Sequence, residues 1–165
     1  MPCPGLRTFF RICKKAIHLT AKAAGFLAIS LIKIHALVFA MQKVFLDTNF
    51  IISALRFKID IEAELQRICN FQIKLCVFSG TISELEKLIN RGKLFERRLA
   101  KLALRLIEQK SLEIVESEGH VDDLLAALNP KTAVIATQDR LLKKMLKEKG
   151  FRLVTIRQKK RLALE

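Results

Sequence analysis

Val44-Phe45-Leu46-Asp47-Thr48-Asn49 is the stretch on which the reading of this chain turns. An apolar run ends in a carboxylate, and a hydroxyl and an amide follow directly. Such a run reads as a parallel strand buried on both faces. In an open α/β sheet, ligands sit beyond the carboxyl ends of the strands. Asp47 is therefore expected at the rim of a sheet, within reach of a metal ion or a phosphate.

Working outward, strands and helices alternate. Strands are predicted at 43–47, 74–78, 112–115, 132–137 and 152–156. Helices are predicted at 50–56, 59–69, 82–89, 94–109, 121–128 and 140–149, with a tight turn at Ser79-Gly80-Thr81 and a basic tail after residue 156. Thr48 or Asn49 is expected to cap the first helix. Leu99, Leu102, Ala103 and Leu106 are expected on the buried face of the longest. This alternation predicts an α/β fold, a parallel sheet with helices on both faces.

Acidic residues recur at equivalent places in that scheme. Asp47 ends the first strand, Glu84 lies in the helix after the second, Asp122 opens the helix after the third, and Asp139 follows the fourth. Parallel strands bring all four to one edge. Carboxylates that converge without cations repel one another unless a divalent ion neutralises them. Hard oxygen donors suit Mg²⁺ or Mn²⁺. Each acid also has an ordinary alternative as a helix cap or first-turn residue. Thr48, Asn49, Asp123 and Thr137 stand nearby and are assigned supporting roles.

At 165 residues and 51% hydrophobic content, the chain can build one domain with a real core. Cys3, Cys13, Cys69 and Cys76 form no short-spaced pair, so neither a zinc knuckle nor a disulfide scaffold is expected. A reducing, cytoplasmic setting is. The net charge of +14 favours polyanionic partners. Arg140, Lys143, Lys144, Lys147 and Lys149 crowd one helix, and Arg157, Lys159, Lys160 and Arg161 the tail. A phosphate backbone approaching Asp139 would pass these side chains, which suits RNA. No aromatic residues interleave them, so no base preference is read.

Residues 1–40 differ from the rest. They hold six basic residues and no acid, and turn apolar from Ala23 to Ala40 with Lys33 and His35 interrupting. A signal anchor and a basic amphipathic helix are two readings. The favoured one places the working domain at 41–165, with a start at Met41 and the first 40 residues foreign to it. A membrane role is not expected.

The four acidic motifs resemble those of PIN-domain ribonucleases. They are Val44-Phe45-Leu46-Asp47-Thr48-Asn49, Ser83-Glu84-Leu85-Glu86-Lys87-Leu88, Asp122-Asp123-Leu124-Leu125-Ala126 and Ile135-Ala136-Thr137-Gln138-Asp139. The resemblance spans residues 42 to about 161, and the first 40 depart from it. It implies a three-layer, Rossmann-like α/β/α fold around a five-stranded parallel sheet. It also implies Mg²⁺- or Mn²⁺-dependent cleavage of single-stranded RNA, often by homodimers, with Asp47, Glu84, Asp122 and Asp139 binding the metal. The basic C-terminal region is similar to archaeal relatives of the ribosomal-RNA-processing nucleases of the small-subunit processome. These overlap in sequence with VapC-type toxins, which need an antitoxin partner. A non-catalytic RNA-binding or ribosome-assembly factor is the alternative outside enzymology.

Overall fold

Both faces of β1 (Gln42–Leu46) are apolar, and that forces helices onto both sides of the sheet. In the computed structural model, which describes residues 41–165, Val44 and Leu46 point into one core and Phe45 into the other. The readings made for residues 1–40 lie outside the described residues. The remaining elements are α1 (Thr48–Arg56), α2 (Ile61–Ile68), β2 (Ile73–Phe78), α3 (Ser79–Arg91), α4 (Leu94–Gln109) and β3 (Glu113–Val115). They continue with α5 (Val121–Ala127), β4 (Ala133–Ala136), α6 (Arg140–Glu148), β5 (Arg152–Arg157) and β6 (Arg161–Leu164).

The same two-residue alternation runs through the inner strands. Val77, Val134, Ala136 and Val154 join Val44 and Leu46 beneath α1, α2, α4 and Leu85 of α3. Cys76, Phe78, Ile135 and Leu153 join Phe45 beneath α5 and α6. The expected three layers are present. The strand order is β3-β2-β1-β4-β5-β6. β1 to β5 pair in parallel, and the order reverses direction at β1, which has β2 on one side and β4 on the other.

The sheet has six strands where five parallel ones were expected. The stretch read as a basic tail turns back as β6, antiparallel to β5. Gln158 and Lys159, at φ 53° and 56°, both adopt the left-handed conformation that such a turn requires. The Lys160 amide closes it on the Arg157 carbonyl at 3.2 Å. Neither turn residue is Gly, Asn or Asp, so composition carried no signal for it. The outer edge of β6 is capped: the Leu162 amide donates to Glu64 at 2.8 Å and Arg67 donates to the Leu162 carbonyl at 3.0 Å. An ion pair on α2 thereby blocks further strand addition.

Three smaller expectations are corrected. Ser79-Gly80-Thr81 is the first turn of α3, not a separate tight turn. Asp47 itself is the residue before α1, with Thr48 and Asn49 inside the helix. Leu102 is 48% exposed, while Leu99, Ala100, Ala103 and Ile107 are buried. The α4 stripe is rotated because Leu94, Phe95 and Leu102 make more apolar positions than one face can bury. Gly80 matters for the site. A Cβ there would lie 2.8 Å from Val121 Cγ2, so the first turn of α3 sits tight against the start of α5.

The two leucines of α4 give a direct check by urea unfolding. Leu99→Ala is expected to lower stability by about 2–4 kcal/mol. Leu102→Ala is expected to lower it by less than about 1 kcal/mol.

Candidate active site

The strand order reverses between β1 and β4, and the carboxyl edge of the sheet at that point is where open α/β sheets place their ligands. Asp47 leaves β1 there, still tied into the sheet by its amide, which donates to the Ala136 carbonyl at 3.0 Å. Its side chain is only 5% exposed. Thr137, fully buried just after β4, donates its hydroxyl to Asp47 Oδ2 at 2.8 Å. The same hydroxyl oxygen accepts from the Asp139 amide at 3.1 Å, which fixes the start of α6.

The other acids arrive on helices. Thr48 in the first turn of α1 donates to Glu84 Oε2 at 2.5 Å, drawing α3 toward Asp47. Asp122, in the first turn of α5, has no hydrogen-bond partner among the described residues. Asp139 caps α6, its Oδ1 accepting from the Leu141 and Leu142 amides at 2.7 and 2.8 Å. Its capping and site roles are therefore compatible, because Oδ2 accepts no such bond.

Asp47 and Asp122 each feel the charge of neighbouring carboxylates. Burial pushes Asp47 up to about 6 from an ordinary 3.8; Thr137 pulls against it, and the charges of Asp122 and Glu84 push further. Asp122 is likewise raised, by partial burial first and then by the charges of Asp139, Glu84 and Asp123. Asp122 and Asp123 remain open to solvent, so ions can enter on that side. Among the described residues, no Lys, Arg or His forms an ion pair with any of the four.

This donor set fits a hydrated divalent ion. It consists of hard oxygens with uncompensated charge, two of them held by threonine hydroxyls. Among the described residues, no three Asp, Glu, His or Cys side chains stand close enough to enclose one ion directly. Mg²⁺ commonly binds through one or two carboxylates and keeps several waters, which is the arrangement left open here.

The remaining assigned residues divide. Asn49 is exposed and lines a shallow hollow with Ser53, Gln138, Asp139, Arg140 and Leu141. Arg140 also lines a basic groove between α6 and β5, with Lys143, Lys144, Lys147 and Arg157. Lys159 and Arg161 turn away from that groove. Lys159 lies over the Phe57 ring at 5.9 Å, and Arg161 faces Glu64 on α2. Lys160 is exposed in the turn, and Lys149 donates to the Ala126 carbonyl at 3.0 Å. Reasoning from sequence missed Glu165 and Thr155 in the groove, because the antiparallel return that brings Glu165 there had no turn signal.

Fold and site together define a Rossmann-like α/β protein with an acidic centre at its switch point. The chain belongs to the PIN-like domain family, whose family model matches residues 44–159. Ribonuclease VapC4 of Methanocaldococcus jannaschii is 29% identical over 123 residues, covering 73% of this chain and 94% of the relative. The solved structure of the PIN domain endonuclease Utp24 matches with a TM-score of 0.62 at 25% identity, covering 74% of this chain and 90% of that one. The resemblance to PIN-domain ribonucleases is thus borne out.

The folded protein binds a proton at Asp47 more tightly than the unfolded chain does. The ionised carboxylate therefore destabilises the fold. The penalty is absent below pH 3.8, grows toward about 6, and is complete above it. Its size is on the order of 3 kcal/mol. Asp47→Asn keeps an acceptor for Thr137 and removes the charge. In metal-free buffer it is expected to raise the thermal midpoint over wild type at pH 7–8, with the difference closing by about pH 4. An equal gain at both pH values would place its origin elsewhere.

Proposed function

We propose that this protein is a divalent-metal-dependent endoribonuclease acting on single-stranded RNA in the cytoplasm. The observation that carries the reading is the convergence at the switch point of four carboxylates that form no ion pair among the described residues, with Asp47 raised to about 6 by burial and by its neighbours. The names of two similar proteins, a ribonuclease and an endonuclease, support it.

Asp47, Glu84, Asp122 and Asp139 would hold Mg²⁺ or Mn²⁺. The ion supplies charge neutralisation, polarisation of the phosphoryl group and activation of water. Thr137 orients Asp47, and Thr48 orients Glu84. Arg140 stands directly after Asp139, at the junction of the hollow and the groove, where it can bind a phosphate beside the reacting one. The groove beyond it steers the strand and confers salt-dependent affinity. The buried sheet end keeps bulk water from one side of the acids, which strengthens their electrostatic action.

Ribosomal-RNA processing is the role placed first, because the basic α6 and the region after β5 resemble that group. A VapC-type toxin is the second reading, favoured by the 29% identity to Ribonuclease VapC4. Growth arrest on expression, relieved by a neighbouring small protein, would establish the toxin; accumulation of a ribosomal-RNA precursor on deletion would establish the processing enzyme.

Wild-type protein is expected to cut a labelled single-stranded RNA internally in Mg²⁺ or Mn²⁺ and to stop in EDTA. Asp47→Asn is expected to slow cleavage by at least about 100-fold, near 2.7 kcal/mol of barrier. Equal rates for the two proteins would remove the acids from the reaction. RNA binding without cleavage in either metal would favour the non-catalytic alternative.

A further inference from the structure

Glu165 occupies the basic groove. Glu165 is placed by its own backbone: its amide donates to the Leu153 carbonyl at 2.8 Å and its carbonyl accepts from the Leu153 amide at 2.9 Å. Its side chain then reaches the face of β5 that looks toward α6. One carboxylate oxygen accepts from Thr155 Oγ1 at 2.8 Å and from Arg157 at 2.6 Å. The other accepts from Lys147. Three donors from two elements, one of them a buried threonine, converge on one anionic group.

That donor set is also what a phosphodiester takes: a guanidinium, an ammonium and a hydroxyl aimed at two anionic oxygens. The groove it stands in runs along α6 from Arg140, the residue beside the acidic centre, past Lys143 and Lys144. Glu165 is the one carboxylate among the residues lining it. It engages two of the five cations there and repels an incoming polyanion.

We propose that Lys147, Thr155 and Arg157 form a phosphate subsite for the bound RNA strand, and that the Glu165 carboxylate fills this subsite in the free protein and is displaced when the strand binds. The inference rests on the RNA reading above and extends it to a self-occupied anchor away from the acids. The tight hold on Glu165, whose carboxyl lies near 2 chiefly through Lys147, matches a fully charged stand-in across the physiological range.

The test is binding of a labelled 12-nucleotide single-stranded RNA by the full chain in EDTA, across a salt series, with the fold monitored by circular dichroism. Glu165→Gln keeps the shape and removes the charge. It is expected to bind about three- to tenfold tighter at 0.1 M salt, since releasing exposed ion pairs frees about that much. The slope of log affinity against log salt should stay within about 0.7 of wild type, because the strand displaces Glu165 and engages the same phosphate in both proteins. Glu165→Ala should show the same direction. Arg157→Gln should weaken binding more in the Glu165→Gln background than in wild type, the coupling expected of a shared site. If wild type binds and both Glu165 variants leave affinity unchanged or reduced, Glu165 only ties down β6 and the subsite is overturned. If neither wild type nor variants bind, the RNA reading itself falls, and the flat wild-type curve marks that outcome apart.

Discussion

Across the gap where the strand order reverses, Thr137 donates one hydrogen bond to Asp47. It joins the ends of β1 and β4, the central pair of the sheet, and holds a carboxylate where an apolar core would otherwise close. Burying an ionised group without a partner is costly. The protein tolerates the burial with a neutral hydroxyl rather than a cation, which orients the acid without cancelling its charge. The N-terminal halves of α1, α3, α5 and α6 are then arranged around that point, and the close approach of Gly80 to Val121 brings the starts of α3 and α5 together.

The treatment of acids elsewhere in the chain makes the contrast clear. Glu64, Glu113 and Glu165 are each held near 2, by Arg67, Lys43 and Lys147 in turn as the leading cause. Those carboxylates do structural work: capping the β6 edge, tying β1 to β3, and closing the groove. Asp47 and Asp122 are shifted the other way, although the described residues are rich in lysine and arginine. Among the described residues these most crowded acids have no ion-pair partner, which leaves them open to a mobile cation.

Much of this was legible in residue order because the physics was local or periodic. Continuous apolar runs announced buried parallel strands, and an acid after each run announced one edge of a sheet. Asp47, Glu84, Asp122 and Asp139 needed only the topology to come together. What could not be read depended on contacts distant in sequence. Gln158 and Lys159 form a left-handed turn without a turn residue, so β6, the Glu64–Arg67 edge cap and the placement of Glu165 were hidden. The same turn sends Lys159 and Arg161 toward α1 and α2, although a linear reading grouped them with the helix cations. Leu102 was misplaced because a helix with more leucines than its face can bury has no unique stripe.

A divalent ion at the switch point would be anchored on Asp47. Calorimetric titration of Mn²⁺ into the metal-free protein at pH 7, compared with Asp47→Asn, addresses it without reference to any substrate. Wild type is expected to bind saturably, and the variant to lose at least about tenfold in affinity, or about 1.4 kcal/mol. Equal Mn²⁺ affinity in the two proteins, or no saturable binding by wild type, would contradict it.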